Sequence, residues 1–179
     1  MGIQKEFRFL LPPDLLTRIG LRAIAFIRVR TQRGLDDSGA PFAPYGTTPF
    51  ARPLGGITSR TRQALGNKLS LFKTKKGKLW ALIDGGYKAY KEAARPQDSG
   101  IVNLTDTGTM MRALTIVKVD PATNTISIGF TRVEDALKAF YHNVEGVGKS
   151  RAIRHFMGLT PDERAELATM ASEGITIEV

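Results

Sequence analysis

The chain has 179 residues, of which 42% are hydrophobic and 24% charged, a composition that allows one globular domain with a buried core. It contains no cysteine, which excludes disulfides, thiolate nucleophiles and cysteine-ligated metal sites. No apolar run reaches the ~18 residues of a membrane span, and the N-terminal residues lack the pattern of a signal peptide. We therefore expect a cytoplasmic protein that does not enter a membrane.

The net charge of +9 is concentrated in the middle of the chain. Eleven basic and two acidic residues fall between Arg52 and Arg95, so the remainder of the sequence is neutral. This charge either faces solvent or is directed toward a negative partner, such as nucleic acid or an acidic protein surface.

At the N-terminus, alternating apolar residues over 5–11 predict a short strand. From Pro13 to about Arg30, apolar side chains recur at helical spacing and predict an amphipathic helix with a proline in its first turn. The residues expected on its buried side are Leu15, Leu16, Ile19, Ala23, Phe26 and Ile27.

The segment 31–67 holds four of the nine prolines and six glycines, which predicts extended backbone and turns. Residues 69–83 are predicted to form a hairpin whose turn places Gly77 at positive φ. Because an isolated two-stranded hairpin is marginal in water, and no segment of the monomer is identified as its cover, the hairpin is expected to need a partner. A short helix is predicted over 86–94, with Tyr87 and Tyr90 on one face.

Farther along, Thr105 or Asp106 is a candidate N-cap for a short helix. The clearest hairpin joins residues 114–119 to residues 125–130. Its expected inward residues are Val117 and Val119 beside Ile126 and Ile128, and the short helix before it would present Met110, Met111 and Leu114.

Two further helices are predicted near the C-terminus. The first is amphipathic, and the second opens with a capping box at Thr160–Glu163 and runs to about Ser172. Residues 175–179 alternate like an edge strand. Helices and antiparallel hairpins without a β-α-β rhythm indicate an α+β fold, with a small antiparallel sheet packed against three to four helices and a long extended arm or hairpin. The amphipathic helix is marked by Ala136, Leu137, Phe140, Tyr141 and Val144.

Candidate catalytic groups do not form a convincing site. Gly148-Lys149-Ser150 is similar to the end of a phosphate-binding loop, but Asn143 stands where that loop needs a glycine. His142 and His155 lack a second histidine or a well-placed carboxylate. Asp14, Asp36 and Asp37 are better explained by turns, and Ser38 and Ser99 have no identifiable base. We expect no catalytic residue, metal or cofactor, and a protein that is not an enzyme.

Nucleic-acid binding is the alternative function. Phe72, Trp80, Tyr87 and Tyr90 interleave with lysines, and cations with stacking aromatic rings are what single-strand binding uses. No helix-turn-helix, zinc finger or RNA-binding signature accompanies them.

Three short motifs, in order along the chain, give the sequence a family resemblance. They are DxxGxPFxPY over residues 36–45, NLTxTGxM over residues 103–110 and RxFxGLTxxE over residues 154–163. With these motifs the chain resembles the phage virion morphogenesis family, whose members are tail completion or neck proteins of tailed bacteriophages.

The resemblance implies a non-enzymatic structural protein of the virion, made in the host cytoplasm. It implies a homo-oligomeric ring at the top of the tail or in the neck, which ends tail growth and helps to join tail to head. Neighbouring tail tube, tail terminator or neck and connector proteins would be its partners. Whether the basic segment meets DNA in the channel or an acidic protein stays open.

Together these observations divide the chain into an α+β core, residues 1–30 and 101–179, and a basic arm, residues 31–100. In a ring, the arm could lie on the neighbouring subunit, where its hairpin would find a partner. The alternative is a well-packed loop within one subunit. The residues expected at the assembly interface are Phe42, Tyr45, Phe72, Lys75, Lys76, Lys78 and Trp80.

Overall fold

A computed structural model describes residues 10–98, 100–148 and 151–174 of the chain. Within these residues the fold is α+β, as predicted, with a three-stranded and a two-stranded antiparallel sheet. The helices are α1 (Pro13–Gln32), α2 (Ser59–Leu65), α3 (Gly86–Ala94), α4 (Thr109–Ala113), α5 (Val133–Phe140) and α6 (Pro161–Glu173). The strands are β1 (Phe50–Pro53), β2 (Leu69–Lys73), β3 (Leu79–Ile83), β4 (Leu114–Asp120) and β5 (Thr125–Phe130).

The first hydrophobic core lies between α1 and the β4–β5 hairpin. Ile24 and Ile27 of α1 pack there with Met111 and with Phe156, which is fully buried. Gly20 brings the helix close to the sheet, because a Cβ at this position would lie 2.7 Å from Cδ1 of Ile116. A side chain at Gly20 would therefore push the helix off the hairpin.

The predicted first and last helices are confirmed. α1 carries a proline in its first turn and buries five of the six residues expected on its inner side, while Phe26 is only half-buried. α6 opens with the predicted capping box, in which the Thr160 hydroxyl accepts from the Glu163 amide and the Glu163 carboxylate accepts from the Thr160 amide. It ends before Gly174.

The β4–β5 hairpin forms, but its predicted register is wrong at Val117. A bulge shifts the pairing between Ile116 and Lys118, so that Ile116 pairs with Ile128 and Val119 with Ile126. The extra residue in the bulge reverses the alternation of faces beyond it. Val117 consequently faces solvent instead of the core.

The middle of the chain is more regular than the sequence predicts. The β2–β3 hairpin and α3 form as expected, with Gly77 at positive φ, but β1 adds a third strand beside β3 and α2 begins at the N-cap Thr58. These elements enclose a second core of Ile57, Leu65, Ala81, Ile83, Ala89 and Tyr90. The expectation that nothing in the monomer covers the hairpin is therefore wrong: one of its faces packs against the chain's own helices.

The predicted cap of the short helix α4 is also wrong. Its N-cap is Gly108, in the left-handed conformation, and neither Thr105 nor Asp106 caps it. Met110 and Met111 are buried as expected, and Leu114 is buried as the first residue of β4.

Two predicted strands fall largely or wholly on residues that the structure does not describe. The strand expected over 5–11 lies mostly outside the described residues, as does the edge strand expected over 175–179. The boundaries drawn between a core and an arm stay a prediction. In the part of the chain that the structure describes, no helix has the length and apolar character needed to cross a membrane.

Candidate functional site

Two of the three sequence motifs meet in space through Arg154. This buried guanidinium donates from Nε to the carbonyl of Ala43 and from Nη2 to that of Pro44, both at 3.0 Å. Its charged carbon also lies 5.6 Å from the centre of the Tyr45 ring, within cation–π range. The third motif thus fixes the path of the first.

The first motif shapes the turn that precedes this contact. One carboxylate oxygen of Asp36 accepts hydrogen bonds from the backbone amides of Ser38 and Ala40, each at 2.9 Å, and Gly39 takes a positive φ between them. This closed turn directs Phe42 into the first core. The motif is therefore explained by packing within one subunit.

The second motif joins the middle segment to the rest of the chain. Lys91 of α3 donates its ammonium hydrogen bond to the carbonyl of Thr105, and Arg95 donates twice to the carbonyl of Asp106, at 3.0 and 2.6 Å. Burial lowers the pKa of Lys91. The two cores are thereby held to each other by buried and half-buried cations.

A cleft of about 650 Å³ lies where these motifs meet. Its aromatic wall is built by Tyr45, Phe50 and Tyr87, with ring centres 5.1 Å apart for the tyrosine pair and 5.8 Å for Phe50 and Tyr87. Burial raises the pKa of both tyrosines, so their phenols stay protonated near neutral pH. The rest of the lining includes Thr107, Gly108, Met110, His142 and Arg154.

His142 is the only histidine that the structure describes on this cleft. Burial, together with the Arg154 guanidinium, lowers the pKa of its imidazole from 6.5 to about 4. Its Nδ1 is buried without a hydrogen-bond partner among the described residues. At neutral pH the ring is uncharged, and charging it would place a cation beside Arg154.

This burial predicts a pH-dependent stability. Since the unfolded chain binds a proton near pH 6.5 and the folded chain only near pH 4, stability falls as the pH drops through this window. Between pH 7 and pH 5 we expect a loss of about 2 kcal/mol from this group. Urea unfolding of His142→Gln should show a flatter pH profile than that of the parent chain. An unchanged profile in His142→Gln would contradict the conclusion that His142 causes this loss of stability.

The most unusual surface is the outward side of α5 and of the π-helical turn that continues it, Tyr141–Glu145. The side of α5 that faces the protein carries Asp135 and Ala139, while its apolar side chains face solvent. We call these exposed residues the helix strip; they are 45–71% exposed and comprise Val133, Leu137, Phe140, Tyr141 and Val144. The helix is amphipathic, as predicted, but no described residue covers its apolar side.

A second apolar surface is the outer face of the three-stranded sheet. The register aligns Pro53 of β1, Trp80 of β3 and Phe72 of β2 across the strands, and residues directly opposite one another share a face. Leu82 lies in the neighbouring row. The inner face packs against the second core, whereas Pro53 and Phe72 are exposed and Trp80 is half-buried. We call this surface the sheet face.

Lysines surround the turn at one end of the sheet face. None of them forms an ion pair with a residue in the described ranges. Residues 68–79 hold no carboxylate, so this end of the sheet is a concentrated positive surface. The lysines are Lys73, Lys75, Lys76 and Lys78.

The residues predicted for an assembly interface therefore separate into three groups. Phe42 is buried in the first core, which removes it from any surface, and Tyr45 lies in the cleft. Phe72 and Trp80 lie on the sheet face, beside the three predicted lysines of the turn. The sequence did not identify the helix strip as exposed, because helical periodicity marks an apolar side without showing whether the same chain covers it.

Comparison with known proteins gives no relative to set beside this geometry: no family model, no curated protein and no solved structure matches the chain.

Proposed function

We propose that the chain is a non-enzymatic structural protein of a tailed bacteriophage virion. It assembles as a homo-oligomeric ring at the tail top or neck, where it ends tail growth and helps to join tail to head. The observation that carries the assembly is the helix strip, and the position in the virion rests on the three motifs of the sequence.

The helix strip supports assembly because its apolar side chains stay exposed in the single subunit. Folding normally buries the apolar side of a helix, but here the buried side carries a carboxylate, Asp135, held by Lys138 at 3.2 Å. Contiguous apolar surface of this kind is typical of a site for another protein. An obligate interface would bury the strip and recover the hydrophobic free energy that the monomer leaves unused.

A ring also needs two different surfaces on each subunit. Head-to-tail contacts close into a ring when the rotation between neighbouring copies divides a full turn a whole number of times. Each copy then uses one surface toward one neighbour and a different surface toward the other. The chain offers two separate apolar surfaces, the helix strip and the sheet face. Two such surfaces fit a ring subunit better than a two-fold dimer, which uses one.

The assembly is tested by a charge placed in the helix strip. We expect the parent chain to form a closed oligomer by light scattering and a ring by electron microscopy, and Leu137→Asp to shift it at least tenfold toward monomer, because the carboxylate would be desolvated at the interface. Leu21→Asp, at an equally exposed leucine of α1, is the control and should assemble normally.

A parent chain that stays monomeric at every concentration would overturn the assembly proposal. The virion position is tested separately, by locating the labelled protein on purified tails of the phage that encodes it. Label at the tail top or neck is the expected result, and label along the tube or none at all contradicts it.

Nucleic-acid binding is the second candidate function, and the concentrated positive charge of the lysine-rich turn favours it. A monomer that binds random DNA tightly, with an affinity that falls steeply with salt, would support this candidate in place of the ring.

A further inference from the structure

We propose that the two apolar surfaces pair with each other: the helix strip of one copy packs on the sheet face of the next copy. This inference rests on the proposed assembly and names its interface. The sheet would then carry helices on both sides, α2 and α3 of its own chain inside and α5 of the neighbour outside.

The dimensions of the two surfaces agree. From Val133 to Val144 the helix strip spans about 17 Å at 1.5 Å per residue. The five-residue strands β2 and β3 are about 17 Å long, and three strands are about 10 Å across, close to the width of one helix. One helix laid along the strands therefore covers the exposed row of Pro53, Trp80 and Phe72.

Charge selects this pairing over a contact between two sheet faces. Two sheet faces in contact with their turns at the same end would bring two sets of four lysines together, and like charges across an interface oppose binding. Residues 132–145, which include the helix strip, carry three carboxylates and two cations. Glu134 pairs with Arg132 at one end of the strip and Glu145 with Arg151 at the other, so the helix strip brings no excess of positive charge toward the lysine-rich turn in either orientation.

Self-pairing of the helix strip is also disfavoured. It would form a two-fold dimer that cannot extend into a ring, and it would leave Phe72 and Trp80 exposed in the assembly. Pairing within one chain does not occur, because Phe72 and Leu137 are both exposed in the folded subunit. A second copy in head-to-tail contact is the arrangement that covers both surfaces.

The absence of cysteine gives a clean test by cross-linking. Leu137→Cys marks the helix strip and Phe72→Cys the sheet face; both replace exposed side chains, so the fold should persist. Under oxidation, or with a short bis-maleimide linker, a mixture of the two single variants should give covalent dimers. The double variant should give a ladder that ends at the ring. If the neighbour's helix lies closer to β1 than to β2, Ala51→Cys on β1, the opposite edge strand, repeats the test.

Each single variant alone is the control and should stay uncross-linked. Dimers of Leu137→Cys alone would show that the helix strip pairs with itself, and dimers of Phe72→Cys alone that the sheet face does. If either result is obtained while the parent chain forms rings, this pairing is wrong but the proposed function stands. A monomeric parent chain overturns both. The reactivity of the thiol in Phe72→Cys gives a further check. If a random oligonucleotide slows its labelling and assembly does not, the sheet face binds nucleic acid and this pairing is wrong.

Discussion

Replacing Glu163 with glutamine should destabilise the protein by about 3 kcal/mol, because it leaves a buried guanidinium without its counter-charge. Arg30 and Glu163 form an ion pair whose side chains are 5% and 13% exposed. Arg30 also donates to the carbonyls of Phe156 and Gly158, at 3.0 and 2.6 Å. Glutamine keeps an oxygen that can accept from the Thr160 amide, so the substitution removes the charge more than the helix cap.

A second pair on the same two helices provides the control. Arg22 of α1 and Glu166 of α6 lie 2.6 Å apart, but both side chains are 48% exposed. Solvent screens such a pair, and Glu166→Gln should cost less than about 1 kcal/mol. Urea unfolding of the two variants measures how much burial changes the contribution of an ion pair to stability. The two pairs are otherwise matched, since both glutamates lie on α6 and both arginines on α1. Equal losses would show that the buried pair contributes no more than the exposed one.

The sequence predicted best those elements whose boundaries are set by local chemistry. Pro13 in a first turn, the capping box of Thr160 and Glu163, and the glycine turn at Gly77 each act within a few residues. These signals therefore survive in the folded chain with little change. The α+β class followed from them.

The errors arose where distant contacts decide the structure. β1 is four residues long, contains a proline and is stabilised by its pairing with β3, which no local pattern reveals. α2 has seven residues, too few to be stable without the second core that it joins. The bulge at Val117 is likewise a property of two strands together. Pro- and Gly-rich composition thus concealed a folded unit.

The candidate surfaces show the same limit. Periodicity identified the apolar residues of α5 but could not show that Asp135 and Ala139 take the buried side. Phe42 and Phe72 presented the opposite problem: both are phenylalanines in the predicted arm, and only the fold separates a core residue from a surface residue. Their roles follow from the partners that the folded chain places around them.

Alanine substitution at Phe42 and Phe72 should therefore have opposite effects on stability and assembly. Phe42 packs in the first core with Ile24, Ile27 and Phe156, so Phe42→Ala should lower the free energy of unfolding by about 3 to 4 kcal/mol through lost burial and a cavity. Phe72 is 41% exposed on an edge strand, so Phe72→Ala should cost less than about 1 kcal/mol. Chemical unfolding in dilute, monomeric protein measures both.

The same two variants decide whether residues 31–45 reach a neighbour. If Phe42 anchored an arm on the next subunit, Phe42→Ala would leave the monomer as stable as the parent chain and would weaken the oligomer. The burial of Phe42 and the bonds from Arg154 to Ala43 and Pro44 predict the reverse. Phe72→Ala should fold normally and assemble less tightly, because its ring is part of a surface that only a partner can cover.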